Sequence, residues 1–194
     1  MNTSLLVIDA QRIYTDPESD LFCADAKATM RRINNLIRHF RKRRKPVVFV
    51  RHVHKLDGSD LGRLFDYTGE PADDFNFKKG SPEVEYDPGL IVPRGSIEVI
   101  KNRYSAFAGT ALARILHRQK AARVVVCGFM TNFCCESTAR AAHDLDFYVD
   151  FIPDATGTPG TGNMNEKTIR KVVGQLLGEG FARVFTTKKY LSLR

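Results

Sequence analysis

Two adjacent cysteines, Cys134 and Cys135, follow a run of valines, a glycine and a threonine in the stretch VVVCGFMTNFCCESTARAAHD. The chain has four cysteines, and no two of them have the CxxC spacing or any other spacing typical of zinc sites. Adjacent cysteines also rarely bond to each other, because the short loop would be strained. These points disfavour a redox or metal site and leave two interpretations, inert helix packing or a nucleophile with a space-filling neighbour.

A carboxylate and an ammonium group occur at the ends of two other apolar runs, since Asp9 follows LLVI and Lys101 ends SIEVIK. Taken singly, Asp9 could cap a turn, Lys101 could point into solvent, and Cys134 could be a buried structural thiol. Together they supply a base, a cation and a nucleophile. A thiol at a helix N-terminus near a lysine is expected to have a lowered pKa. Backbone N–H groups at the same helix start could hold the oxyanion formed when a carbonyl is attacked.

The elements that must position these residues alternate between short β-branched runs and helical patterns. This alternation predicts a three-layer α/β/α sandwich with an open, mostly parallel, six-stranded sheet, in a single domain over residues 1–194. In such folds ligands bind beyond the carboxyl ends of the strands, where Asp9, Lys101 and Cys134 are expected. The predicted strands are Leu5–Ile8, Val47–Val50, Ile97–Ile100, Val124–Cys127, Tyr148–Ile152 and Arg183–Phe185, and the predicted helices are Ala24–Arg44, Thr110–Gln119, Cys134–Leu145 and Asn165–Leu177. The long polar segment Lys55–Gly95 is expected to shape the mouth of a pocket.

Composition places the chain among globular proteins without a membrane span. Its 194 residues are 43% hydrophobic and 27% charged, and no apolar run approaches the roughly 18 residues that a membrane helix needs. The N-terminus reads as a strand without a preceding basic region, so a signal peptide is not expected. A cytoplasmic location, where thiols stay reduced, is the expectation.

The net charge of +8 is concentrated in part in the segment RHFRKRRKP, Arg38–Pro46. One hypothesis is a basic protein that binds nucleic acid or a membrane surface. The alternative is the solvated end of an amphipathic helix, whose cations suit the negative end of the helix dipole. No aromatic residues interleave with these cations to stack on bases, so no nucleic-acid partner is expected.

The quoted motifs, taken in order, resemble the isochorismatase-like cysteine hydrolase superfamily, which includes nicotinamidases, N-carbamoylsarcosine amidase and ureidoacrylate amidohydrolases. LLVIDAQ resembles the family's first strand with its aspartate, and KNRYSAFAGTAL resembles the lysine-bearing segment. GFMTNFCCESTARAA is similar to the family's Gly-x-x-Thr-x-x-Cys helix start, and FIPDATGT and FARVFTTKKYL resemble the final strands. The resemblance covers nearly the whole chain.

This resemblance implies a Cys-Asp-Lys triad of Cys134, Asp9 and Lys101 that cleaves a C–N bond in a small amide, carbamoyl or ureido substrate through a thioester. It places Cys135 where relatives usually carry valine, as a small buried residue. It also implies a cis peptide between Phe129 and Met130, so that the N–H groups of Met130 and Cys134 form the oxyanion hole. Assembly as a homodimer or homotetramer is implied as well.

Two subfamilies differ from this chain in informative ways. Isochorismatases lack the cysteine nucleophile, so Cys134 disfavours isochorismate as the substrate. Nicotinamidases carry an Asp-x-His metal motif where this chain has His52 and His54. Two histidines without a clear third ligand favour a site without metal or other cofactor, and a metal-assisted nicotinamidase remains the alternative. Gln11 and Phe107 are expected to contact the substrate.

Overall fold

The sheet in the computed structural model, which describes residues 1–66, 68–70 and 74–193, has six strands with helices on both faces. Every neighbouring pair is parallel, in the order β3-β2-β1-β4-β5-β6. The predicted three-layer α/β fold is therefore confirmed, and the sheet is wholly rather than mostly parallel. The strands are β1 Thr3–Ile8, β2 Val47–His52, β3 Ile97–Lys101, β4 Arg123–Phe129, β5 Tyr148–Gly157 and β6 Arg183–Val184, and the helices are α1 Ala26–Lys42, α2 Leu112–Arg118, α3 Glu136–Asp144, α4 Glu166–Gly178 and α5 Thr187–Leu191.

The central strands are apolar on both faces because both faces are covered by helices. Along β1, Leu5 and Val7 pack into the cluster that includes residues of α1 and α5. Leu6 and Ile8 pack into the second cluster, with residues of α2, α3 and α4. Since side chains alternate across a strand, a continuous apolar run supplies both cores at once.

The helix α1 is held to the sheet by one apolar stripe. Ile33, Leu36, Ile37 and Phe40 follow helical spacing and are fully buried or nearly so. The basic residues that follow, Arg41–Lys45, are exposed. They lie at the amino edge of the parallel sheet, because α1 returns the chain from the carboxyl end of β1 to the start of β2. The cationic cluster is therefore remote from the carboxyl edge, where Asp9, Lys101 and Cys134 lie.

Three elements differ from the sequence-based expectation. The strand β5 continues to Gly157 instead of ending at Ile152, and its pairing with β4 shifts register between Val126 and Gly128. The last strand, β6, has two residues, and the short helix α5 after it was not predicted. Within the described part of Lys55–Gly95 there is one short 3-10 turn, Pro82–Val84. Residues 67 and 71–73 of that segment lie outside the described residues.

No helix in the described ranges combines the length and the apolar character needed to cross a bilayer.

Candidate active site

The site forms where the winding of the sheet reverses, between the carboxyl ends of β1 and β4. From β1 the chain builds outward to β2 and β3, then returns to β4 on the other side of β1. Such a reversal leaves a crevice in which parallel α/β folds bind ligands. Asp9 directly follows β1, Lys101 is the last residue of β3, and Cys134 lies five residues beyond the end of β4.

A glycine allows the two central strands to approach closely beside this crevice. Gly128 has φ +128°, and a Cβ atom built on it would lie 1.9 Å from the carbonyl oxygen of Ile8. Any side chain at this position would therefore displace β4 from β1. Asp9, the next residue after Ile8, has φ +46°, a left-handed conformation that is uncommon outside glycine and is often found at functional sites.

The structure brings Asp9, Lys101 and Cys134 together in a buried cluster. Lys101 Nζ lies 2.8 Å from Asp9 Oδ2 and donates hydrogen bonds to Cys134 Sγ at 3.2 Å and to the carbonyl oxygen of Arg103 at 3.0 Å. All three side chains are at most 2% exposed. Neither oxygen of Asp9 accepts a well-aligned hydrogen bond from the described residues. The contact between Asp9 and Lys101 is therefore mainly an attraction between charges, and the Asp9 carboxylate can still accept a proton.

Burial decides the protonation state of the thiol. It raises the pKa of Cys134 to about 12, because the loss of water outweighs the favourable effect of the Lys101 ammonium, and Asp9 raises the pKa further. Burial alone would lower the pKa of Lys101, but Asp9 and Cys134 raise it above its ordinary value. Burial also raises the pKa of Asp9, against the opposing effect of Lys101. The expectation of a lowered thiol pKa was wrong, and the resting site holds an Asp9–Lys101 ion pair beside a neutral thiol.

The turn Thr131–Cys135 is a wide π-helical turn that continues into α3. The helix therefore begins before Cys134 rather than at it. The Phe129–Met130 peptide before the turn is cis, as the family resemblance implied. The Thr131 hydroxyl donates to the Thr156 hydroxyl at 2.8 Å and so ties the start of the turn to β5. No group among the described residues accepts a hydrogen bond from Met130 N–H, which leaves it available to an oxyanion.

The second cysteine of the pair fills space in the core. Cys135 is fully buried in the cluster under α3, with Ala139 and Ala142. Burial raises its pKa well above its ordinary value, and the neighbouring Cys134 adds to the effect. Cys23 and Cys127 are also free and buried. Of the four thiols, Cys134 is the one that contacts the cavity described next.

A cavity of about 260 Å³ opens onto Cys134. Its walls are mainly aromatic and apolar, and the described residues that line it include no lysine, arginine, aspartate or glutamate. Tyr104 and Phe133 form a tilted pair at 5.2 Å and are each 38% exposed, so they lie at the outer part of the wall. The lining residues are Tyr14, Leu21, His52, Leu64, Phe65, Asn76, Phe77, Tyr104, Met130, Phe133 and Cys134.

Two residues expected to contact substrate lie elsewhere. The Gln11 side chain donates to the carbonyl oxygens of His52 and Val84 and accepts from His52 N–H, so its amide is used in bracing the end of β2. Phe107 is partly buried and stacks on Phe147 at 5.9 Å, against the core on the face of the sheet covered by α2, α3 and α4. The aromatic wall residues were missed, because no local pattern marks a side chain that reaches a pocket from a loop.

The paired histidines do not form a metal site of the usual kind. His52 Nε2 and His54 Nε2 lie 2.9 Å apart in a hydrogen bond, and both rings are buried. Among the described residues, one group of three donors is compact enough for a metal, namely Asp9, His52 and Cys134, within 4.8 Å of one another. The Lys101 ammonium lies against both Asp9 and Cys134, so a divalent cation there would be repelled. This donor set fits a lysine-stabilised thiol, not a metal ion.

Comparison with known proteins agrees with the fold and with the family resemblance. The isochorismatase domain model matches residues 3–188. The chain is 33% identical over 190 residues to the isochorismatase family protein YwoC of Bacillus subtilis, covering 97% of this chain and 92% of that protein. It is 36% identical over 157 residues to Nicotinamidase 3 of Arabidopsis thaliana, covering 80% and 73%. The crystal structure of a cysteine hydrolase from Pseudomonas syringae pv. phaseolicola superposes with a TM-score of 0.88 at 26% identity, covering 98% of this chain and 91% of that one. This chain therefore belongs to the isochorismatase family of hydrolases.

Proposed function

We propose that this hydrolase cleaves the C–N bond of a small, uncharged amide, with Cys134 as nucleophile, Asp9 as general acid and base, and Lys101 as the cation that stabilises the thiolate. The observation that carries the proposal is the buried Asp9–Lys101–Cys134 cluster, of which Cys134 lines the cavity. The ammonium group contacts both the carboxylate and the thiol, and these two lie within 4.8 Å of each other, an arrangement that suits acyl transfer through sulfur.

The first half of the reaction follows from the protonation states. Because the resting thiol is neutral, its proton passes to Asp9 as sulfur attacks the substrate carbonyl carbon, and Lys101 stabilises the thiolate during transfer. The carbonyl oxygen becomes an oxyanion that accepts hydrogen bonds from Met130 N–H and Cys134 N–H. Asp9 then gives its proton to the substrate nitrogen, the C–N bond breaks, and the amine leaves an acyl group on Cys134.

In the second half, Asp9 takes a proton from water as the water oxygen attacks the thioester. The C–S bond breaks, Lys101 again stabilises the departing thiolate, and the carboxylic acid product forms. Sulfur regains its proton from Asp9 and the site returns to its starting state. No external oxidant, reductant or metal enters this cycle.

The cavity walls support an uncharged substrate. A substrate carboxylate, as in carbamoyl or ureido acids, needs a cationic partner when it is taken out of water. The described lining residues offer it no lysine or arginine, whereas the aromatic side chains suit a flat or branched apolar acyl group. Among the classes that the family resemblance implies, simple carboxamides such as nicotinamide therefore fit better than carboxylate-bearing ureido compounds.

The test is ammonia release from nicotinamide, benzamide and isobutyramide, compared with N-carbamoylglycine as the charged member of the panel. We expect turnover of at least one neutral amide and none of the charged one. Cys134→Ala should lower the rate by several orders of magnitude, while Cys135→Ala should not. Cys134-independent turnover, or a preference for N-carbamoylglycine, would contradict the proposal.

The alternative of a metal-assisted nicotinamidase predicts loss of activity with a chelator and recovery with added metal. The present proposal predicts that exhaustive chelation changes the rate less than twofold, since Lys101 occupies the position from which a cation would act. We further propose a homodimer or homotetramer, which light scattering of the purified chain tests directly.

A further inference from the structure

A chain of hydrogen bonds runs from the cavity wall into the Lys55–Gly95 segment. His52 Nε2 lies 2.9 Å from His54 Nε2, and His54 Nδ1 lies 3.3 Å from Asp60 Oδ1. Both histidines are 1% exposed. His52 lines the cavity, and one of its ring nitrogens lies within 4.8 Å of a carboxylate oxygen of Asp9 and of Cys134 Sγ. The mechanism proposed above uses none of His52, His54 and Asp60.

The far end of this chain fixes the direction of its hydrogen bonds. Asp60 accepts from Lys55 N–H at 3.0 Å and from the Asn102 amide at 3.2 Å. Partial burial opposes its ionisation, but these donors together with His54 lower the pKa of Asp60 below its ordinary value, so it is a carboxylate and can only accept. His54 Nδ1 must therefore carry the hydrogen of the His54–Asp60 contact.

Both rings are neutral near pH 7. Burial lowers the pKa of His52 well below its ordinary value, and the charge of Lys101 adds to the effect. Burial also lowers the pKa of His54, against the opposing effect of Asp60. A neutral His54 with its hydrogen on Nδ1 accepts at Nε2, so His52 must donate from Nε2. His52 is then left with a lone pair on Nδ1, for which no donor exists among the described residues.

We propose that His52 Nδ1 accepts a hydrogen bond from the leaving nitrogen of the substrate, and that His54 and Asp60 are positioning residues that hold His52 in this tautomer. The inference rests on the function proposed above. One ligand atom each of Asp9, His52 and Cys134 lie within 4.8 Å of one another, so a substrate nitrogen bonded to the carbon that Cys134 attacks would be close to both Asp9 and His52. Two acceptors at one nitrogen match the two hydrogens of a primary amide.

This arrangement also favours departure of the nitrogen. Asp9 donates its proton to the nitrogen as the C–N bond breaks, so ammonia leaves while His52 gains and loses no proton. The hydrogen bond to His52 strengthens as positive charge develops on the nitrogen, and it therefore stabilises the transition state more than the bound substrate. The site should accordingly prefer primary amides to N-methyl amides, because a secondary amide leaves one acceptor unpaired in a buried cavity.

The experiment compares each hydrolysed amide of the neutral panel with its N-methyl amide and its methyl ester, in wild type, His52→Phe, His52→Gln and Asp60→Asn. An ester has no N–H group, so its turnover depends on the rest of the site but not on the proposed hydrogen bond. Phenylalanine keeps the stack on Phe77, whose ring lies 4.4 Å from that of His52, and glutamine restores an acceptor. Thermal unfolding of each variant checks that the fold is retained.

We expect His52→Phe to lower kcat for the primary amide by about 10- to 100-fold and for the ester by less than threefold. His52→Gln should recover part of the loss, and Asp60→Asn should lower amide turnover more than ester turnover. Equal losses on amide and ester would overturn the inference while leaving the proposed function intact. A wild-type protein that turns over neither compound through Cys134 would overturn both.

Discussion

The buried ion pair of Asp9 and Lys101 makes a quantitative prediction about stability. In Lys101→Met the Asp9 carboxylate loses its partner at 2.8 Å, and that attraction amounts to about 6 kcal/mol at an effective dielectric constant of about 20. Protonating Asp9 costs less free energy than keeping its carboxylate charged without the lysine. From its ordinary pKa of 3.8, protonation at pH 7 costs about 4 kcal/mol. Burial already raises the pKa of Asp9 in the wild type, so this cost is an upper bound, and we expect the variant to lose up to about 4 kcal/mol of unfolding free energy at pH 7.

The sign of the pH dependence separates this explanation from a simple packing defect. In Lys101→Met the folded pKa of Asp9 lies above its unfolded value, so the lost stability returns as the pH falls towards 4, by about 1.4 kcal/mol per unit. In Asp9→Asn the isolated Lys101 has a folded pKa below its unfolded value, so that variant becomes less stable as the pH falls. The two single variants should therefore show opposite slopes.

Urea unfolding of both single variants and of Asp9→Asn/Lys101→Met at pH 7.5, 6.0 and 4.5 measures these slopes. The double variant buries no charge at this point, so at pH 7.5 it should be more stable than Lys101→Met although it remains inactive. Parallel slopes in the two single variants, or a double variant whose loss equals the sum of the single losses, would refute the argument that a charged pair is buried here.

Three further predictions concern the surroundings of the cluster. Gly128→Ala should cost about 3 kcal/mol or more in urea unfolding and abolish turnover, because its Cβ would lie 1.9 Å from the carbonyl oxygen of Ile8; a loss below about 1 kcal/mol would contradict this. Cys135→Ala should cost about 1 kcal/mol through lost packing and keep kcat within threefold, so a large fall in kcat with intact fold would give Cys135 a catalytic role. The pKa of His52 is lower in the folded than in the unfolded state, so the unfolded state binds a proton first as the pH falls. His52 therefore leaves the free energy of unfolding unchanged above about pH 6.5 and lowers it as the pH falls below that value. Relative to His52→Phe, the wild-type unfolding free energy should fall by up to about 1.4 kcal/mol per pH unit below pH 6.5, and identical pH profiles would show that His52 is not buried neutral.

Sequence patterns predicted the parts of the fold that depend on local chemistry. Apolar β-branched runs such as Val124–Cys127 identified the central strands, since a strand covered on both faces admits few other residues. The extension of β5 through Pro153 and Asp154 was missed because those residues interrupt the apolar pattern and the pairing with β4 shifts there. The helix α5 has five residues, too few to show a helical period.

The site was predictable where it follows from topology and not where it depends on burial. Asp9 and Cys134 are 125 positions apart in the sequence, yet the rule that parallel strands place their carboxyl ends at one edge brings them together. The neutral state of the Cys134 thiol depends on how much water the surrounding walls exclude, which no motif encodes. Likewise, Asp60 reaches His54 from a loop, so the tautomer of the histidine pair becomes visible only in three dimensions.

The central claim is that Cys134, and no other thiol, reacts with a small neutral electrophile under the control of Asp9. Intact-mass labelling with iodoacetamide near neutral pH tests it without knowledge of the substrate, because iodoacetamide is itself a small primary amide. We expect one fast label in wild type and Cys135→Ala, none in Cys134→Ala, a slower label in Asp9→Asn, and slower labelling by the charged iodoacetate in every case. A fast label that persists in Cys134→Ala, or a Cys134 label whose rate is unchanged in Asp9→Asn, would contradict the account.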